Sequence, residues 1–145
     1  MKGEFVIPEG YTQISARAFE GQGQVTKIVI PKSMIEIGEY AFAYCYSLKE
    51  FIIPENITKI GEFAFFKCTS LVNIQIPNSV TIIDESAFAE CASLETIKIP
   101  DSVTTIGPYA MGHCTELAEV IIPDSVTNIG AAAFILCKNL RTVEI

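Results

Sequence analysis

The chain of 145 residues has no tryptophan and a single histidine, His113. One imidazole allows a Ser-His-Asp or Cys-His arrangement only around that position. Basic side chains are scarce, with ten Lys and Arg against 17 Asp and Glu and a net charge of −7. Nucleic-acid binders cluster Lys and Arg to neutralise phosphates, so no nucleic-acid partner is expected. No apolar run approaches the roughly 18 residues that a membrane helix needs, so no membrane span is expected. The phosphate-loop patterns G-x-G-x-x-G and G-x-x-x-x-G-K-[ST] are missing, and Gly21-Gln22-Gly23 lacks the strand–helix context of such a loop. Nothing in the pattern calls for a cofactor. Behind Met1-Lys2-Gly3-Glu4 there is no apolar stretch long enough for a signal peptide. On that ground a cytoplasmic setting stays open.

What is present is order. Half the residues are hydrophobic and 19% are charged, which excludes intrinsic disorder. Pro8, Pro31, Pro54, Pro77, Pro100 and Pro123 recur every 23 residues. A fixed period of this size is read before any local pattern. It divides one domain, residues 1–145, into a lead of residues 1–7 and six coils: 8–30, 31–53, 54–76, 77–99, 100–122 and 123–145. With the proline as column 1, column 7 is always isoleucine (Ile14 to Ile129) and column 11 always alanine (Ala18 to Ala133). Column 12 is phenylalanine except for Met111, and column 15 is cysteine except for Gln22. Columns 4, 18, 21 and 23 are mostly aliphatic. A column apolar in every copy is buried in every copy. One coil cannot close a core, but stacked coils can.

The tail L-x-x-I-x-I alternates as a half-buried strand does, and the proline after it ends the strand. V-T-x-I before column 8 suggests a second short strand. Glycine at column 8 (Gly38, Gly61, Gly107, Gly130) suits a turn with positive φ. The apolar positions of A-F-x-x-C fit one or two helical turns, with Glu39, Glu62 and Glu85 at their start. The expected fold is an α/β repeat solenoid: a right-handed stack of coils, short parallel strands on one face and short helical turns on the other.

The five cysteines (Cys45, Cys68, Cys91, Cys114, Cys137) share one column, so their side chains run parallel. Parallel Cβ vectors do not suit a disulfide, and no C-x-x-C spacing suggests a metal. They read as small buried thiols. His113 falls in a column of mixed identity and reads as a surface residue.

Function in such a scaffold lies in the columns that vary. Columns 20 and 22 point outward from the main strand. They hold Lys27, Val29, Glu50, Ile52, Asn73, Gln75, Thr96, Lys98, Glu119 and Ile121, a candidate strand-face binding surface. Aliphatics on a wet face are either a binding surface or ordinary exposed residues. Tyr40, Tyr44, Tyr46, Phe63 and Phe66 form a candidate aromatic patch, unless they fold over the next coil. At the first copy, Gln22, Gly23 and Gln24 depart from consensus as a polar cap does. At the other end Ile135, Leu136 and Ile145 are apolar where other copies are polar or where the chain stops. These three are candidate self-association residues, on a coil either cut from a longer array or paired in a homodimer.

The unit I-P-x-S-V-T-x-I-G-x-x-A-F-x-x-C-x-S-L, clearest over residues 76–94, 99–117 and 122–140, resembles the BspA-like, treponemal-type leucine-rich repeats. The resemblance implies a leucine-rich-repeat solenoid without catalytic residues. It implies a bacterial protein, surface-attached or secreted, that works in adhesion by binding a protein ligand such as a host matrix or surface protein. A structural spacer that stacks through its last coil is the alternative.

Overall fold

The structure, a computed structural model, describes residues 2–144. Its strands in chain order are β1 (Gly3–Val6), β2 (Gln13–Ile14), β3 (Val25–Val29), β4 (Glu36–Ile37), β5 (Glu50–Ile52), β6 (Lys59–Ile60) and β7 (Asn73–Gln75). There follow β8 (Ile82–Ile83), β9 (Thr96–Lys98), β10 (Thr105–Ile106), β11 (Glu119–Ile121), β12 (Asn128–Ile129) and β13 (Thr142–Glu144). Odd-numbered strands fall on columns 18 to 22 and form one rank. Even-numbered strands fall on columns 6 and 7 and form a second. Every pairing is parallel, and paired coils keep the 23-residue register, as in Phe51↔Ile74 and Ile83↔Ile106. The result is a parallel-strand solenoid of about six turns.

The lead supplies a strand of its own. Phe5 pairs with Ile28 and Val6 with Val29, so residues 4–6 sit in the columns of a preceding period. Phe5 then packs edge-on against Phe19, with ring centroids 5.3 Å apart.

The alternating strands put columns 21 and 23 inward, with Phe51, Ile74, Ile97 and Val120 buried. They meet columns 4, 7, 11, 12, 15 and 18 in one continuous core. Its centre is a spine of rings. Phe19, Phe42, Phe65 and Phe88 stack at 5.5, 5.3 and 5.4 Å between centroids. Phe51 wedges against two of them, at 4.8 Å from Phe42 and 4.9 Å from Phe65.

The expected helical turns do not form: no helix is found among the described residues. Two residues of each coil, at columns 10 and 14, have positive φ instead. Tyr40 (53°) and Tyr44 (60°) are one pair, Phe63 (54°) and Lys67 (57°) the next. Left-handed residues cannot propagate an α-helix. Consequently the N–H groups divide. Those of Ala41, Ala43 and Cys45 close turns onto Gly38, Tyr40 and Phe42 in the same coil. Those of Tyr40, Phe42 and Tyr44 donate to Glu62, Ala64 and Phe66 of the next coil, at 3.0, 2.9 and 2.7 Å. A run of tight turns gives the same inward spacing as a helix, but bonds half its donors across coils. Glu39, Glu62 and Glu85 therefore face no helix N-terminus.

The column-8 glycines are also explained differently. Positive-φ glycines are Gly3, Gly10 and Gly21, and none of them belongs to that column. Close approach is the reason. A Cβ on Gly107 would sit 2.6 Å from the carbonyl carbon of Asp84 in the coil before. At Gly61 the same atom would meet Ile37 O at 3.4 Å, an ordinary contact. The second rank of strands is interrupted there, between β4 and β6.

Repeated polar columns stitch coil to coil. Ser79 and Ser102 donate to Ile57 O and Val80 O of the preceding coils, each at 2.6 Å. Thr81 and Thr104 donate likewise to Thr58 O and Thr81 O at 3.2 Å. The thiols of Cys68, Cys91 and Cys114 donate to Phe42 O, Phe65 O and Phe88 O at 3.2 Å. The threonine and cysteine acceptors also take a backbone N–H (Thr81 N–H to Thr58 O at 2.8 Å, Cys45 N–H to Phe42 O at 3.3 Å), so these side chains add a second bond to a carbonyl already paired.

Candidate functional site

Strand alternation fixes the orientation of columns 20 and 22. All ten candidate strand-face residues, Lys27 to Ile121, are exposed. The aliphatic ones are well out in solvent: Ile52 is 64% accessible and Ile121 56%. Val6, which the column reading omitted, is 56% accessible and lies beside Val29 in register. Counting residues 1–7 as the tail of a period places it in column 22. Val6, Val29 and Ile52 thus follow one another on successive coils. Beside them in column 20, Lys27 Nζ lies 3.7 Å from Glu4 Oε1.

The strand-face rank is not one unbroken sheet. β1 pairs with β3, β5 with β7, and β9 with β11 and β13, but β3 does not pair with β5 nor β7 with β9. These two seams coincide with two surface grooves. The first, about 450 Å³, has an aliphatic floor around Val29 and Ile52, with Lys27 and Lys32 on one rung and Glu50 and Glu55 on the next. The second, about 530 Å³, is lined by Asn73, Gln75, Thr96, Lys98, Glu119 and Ile121 among others. Both open on the candidate face. No sequence signal marks the seams.

The five aromatic-patch residues are brought together on the turn side. Tyr40 stacks on Phe63 with centroids 4.5 Å apart and planes 5° apart. Phe66 meets Phe63 and Tyr44 edge-on, and Tyr46 meets Tyr44 at 6.2 Å. Arg17 covers the outer face of Tyr40 at 4.2 Å, and Lys67 lies 5.4 Å over Phe66. Tyr46 is exposed and the other four are half-buried. Much of this aromatic surface is therefore spent on neighbouring rings and cations. The Tyr46 ring also lies over Gly23, where a Cβ would come within 3.1 Å of it, so the glycine of the irregular first copy makes room for the ring.

Ile135 and Leu136 of the last coil are 41% and 52% accessible. Ile129 and Val143, whose columns are buried elsewhere, are also exposed there. Ile145 lies outside the described residues.

The remaining residues singled out in the sequence lie apart from these surfaces. His113 is exposed. Four of the five thiols are fully buried and Cys137 is half-buried. Burial pushes Cys45 up to about 11 and Cys68 and Cys91 well above the ordinary thiol value, the opposite of activation. Among the described residues no three His, Cys, Asp or Glu side chains gather as a metal site. No helix among them is long and apolar enough to cross a membrane.

A family model described as the BspA type leucine rich repeat region matches residues 35–145 in six copies. The chain belongs to the BspA-type leucine-rich repeat family. Solved structures agree. A leucine-rich repeat protein of T. pallidum is 33% identical with a TM-score of 0.93, over 97% of this chain and 68% of its own. One from Bacteroides ovatus is 32% identical with a TM-score of 0.88, over 97% of this chain and 36% of its own. A leucine-rich cell surface protein of Faecalibacterium prausnitzii is 32% identical with a TM-score of 0.79, over 99% of this chain and 47% of its own. This BspA-type chain therefore spans about half or less of the latter two. No curated protein matches it.

Proposed function

We propose that this chain is a non-catalytic protein-recognition module of a bacterial surface or secreted protein, working in adhesion through its strand face. The observation that carries the reading is the exposure of Val29 and Ile52 on successive coils, with Ile121 two polar positions further along the same column, whose outward orientation strand geometry fixes. Val6, Val29 and Ile52 adjoin on successive coils at the first groove, and contiguous exposed apolar surface is what marks a recognition face, where scattered single residues do not. The cell-surface relative supports the setting. A host matrix or surface protein is the expected kind of ligand. The test is a pull-down from such proteins with the wild-type chain and with a Val29→Glu, Ile52→Glu, Ile121→Glu variant. Loss of the captured partner with unchanged thermal unfolding supports the strand face. Undiminished capture eliminates it.

A second reading, homodimer formation through the last coil, is favoured by the exposure of Ile129, Ile135 and Leu136. Mass measured across a concentration series decides it, and a monomer at high micromolar concentration ends the idea.

A further inference from the structure

We infer that the first strand-face groove pairs with the same groove of a second copy of this chain, an isologous contact whose twofold axis runs along the seam between β3 and β5. The inference goes beyond both readings above, since it needs neither a ligand nor the last coil.

The charges of the groove reverse from one rung to the next. Lys27, Val29 and Lys32 lie on one rung, and Glu50, Ile52 and Glu55 stand 23 residues further on in the same three columns. All six are exposed. Lys27 meets Glu4 of the preceding rung at 3.7 Å, but Lys32, Glu50 and Glu55 make no ion pair among the described residues. A twofold axis that lies in the contact plane and parallel to the strands keeps each column opposite itself and exchanges the two rungs. Lys27 then faces the partner's Glu50, Lys32 faces the partner's Glu55, and Val29 faces the partner's Ile52. Symmetry repeats each contact, so four opposite-charge pairs flank two aliphatic ones. An axis parallel to the solenoid instead sets Lys27 against the partner's Lys32 and Glu50 against the partner's Glu55, and like charges oppose it.

The rungs on either side fit the same arrangement. The rung before Val29 presents Glu4, Val6 and Glu9, and the rung after Ile52 presents Asn73, Gln75 and Asn78, all exposed. The same axis puts Glu4 opposite the partner's Asn73 and Glu9 opposite the partner's Asn78. A carboxylate accepts and a primary amide donates, so each of these is a hydrogen-bonding match. Val6 extends the aliphatic strip of Val29 and Ile52 and lies against the stem of the partner's Gln75. Over these four rungs no like charges face one another. Ligand capture at Val29 and Ile52 uses the same surface, so ligand and second copy exclude one another.

Sedimentation equilibrium of the full chain, up to about 1 mM, tests the contact. Salt at about 0.15 M screens the net charge of −7 beyond about 8 Å and leaves facing side chains to interact. Two double variants are compared with the wild type. Lys27→Glu with Lys32→Glu makes both rungs acidic, and Glu50→Lys with Glu55→Lys makes both basic. All four positions are exposed, and circular dichroism checks the fold. The expected result is a wild-type dimer half-formed at about 100 µM, as suits a small contact, and association weaker by about tenfold or more in each variant alone. An equimolar mixture of the two variants is expected to regain the dimer, because acidic rungs then face basic ones. A wild-type monomer at about 1 mM overturns the inference. A dimer that survives in each variant alone overturns it too and points to the last coil. So does a mixture that stays monomeric while both variants are folded. The pull-down tests the ligand reading separately from all of these.

Discussion

The column-8 glycines offer the sharpest test of the fold, because one substitution is expected to act with opposite sign at equivalent positions. At Gly107, alanine places a Cβ 2.6 Å from the Asp84 carbonyl carbon, whereas ordinary contact begins at 3.4 Å. Backbone must therefore give way by about 0.8 Å, the difference of those two distances. The local coil-to-coil bonds are Gly107 N–H to Ile83 O at 2.7 Å and Ser86 N–H to Pro108 O at 2.9 Å. Opening the gap by that much stretches both past useful length. Two lost bonds at about 0.5–1.5 kcal/mol each give a cost of about 1–3 kcal/mol. The range agrees with overpacking costs in cores. Against this stands the reduced freedom of the unfolded chain, about 0.4–1 kcal/mol for Gly→Ala. Gly107→Ala is therefore expected to destabilise, by up to about 2.6 kcal/mol and by about 1.3 kcal/mol at the middle of these ranges. At Gly61 the new Cβ meets nothing closer than 3.4 Å, and its φ is not positive, so only the unfolded-chain effect remains. Gly61→Ala is expected to stabilise by about 0.4–1 kcal/mol. Urea unfolding followed by circular dichroism measures both, with the midpoint shifting and the slope unchanged. Equal effects at the two glycines, or a Gly107→Ala that stabilises, would refute close approach as the reason for the glycine.

Three further outcomes follow from the core and the inter-coil bonds. Phe65→Ala removes a buried ring with three aromatic neighbours and is expected to cost about 3–5 kcal/mol, clearly more than Phe134→Ala in the half-buried last coil; equal costs in urea unfolding would contradict the spine. Ser102→Ala strands the Val80 carbonyl and is expected to cost about 1–2 kcal/mol by the same measurement, a neutral result denying the stitch any value. The thiols make stability fall at high pH. Cys45 rises from 9.0 to about 11 on folding, so its contribution is intact below pH 9 and lost progressively toward pH 11, as the unfolded thiol ionises and the folded one does not. Unfolding midpoints at pH 8 and pH 10 check the sign, and Cys45→Ala is expected to flatten the decline.

Much of the fold was legible because a stack buries the same columns in every copy, so Ile14 to Ile129 and Ala18 to Ala133 declare the interior without any contact being known. The strand face was legible for a similar reason. Alternation about Ile74 and Ile97 forces Gln75 and Lys98 outward. The helical turn was misread because A-F-x-x-C has the inward spacing of a helix and of a turn run alike. Tyr40, Phe63, Lys67 and Glu90 give no hint that they hold positive φ, since glycine, the usual signal, stands elsewhere. The five aromatic residues are neighbours in space, but the cover that Arg17 and Lys67 give their faces depends on where side chains of other coils reach.

What the sequence determined by itself is the set of choices repeated in every coil: the period, the interior columns and the outward column of Val29, Ile52 and Ile121. Repetition makes each of these a local decision taken again and again. What only the tertiary structure decided is the relation between one coil and the next. The seams beside β5 and β9 belong to it, as does the tight passage at Gly107 against the loose one at Gly61, where 2.6 Å against 3.4 Å decides whether a Cβ fits. Such spacings are set by how neighbouring coils settle on one another, and the residues of a single coil do not specify them.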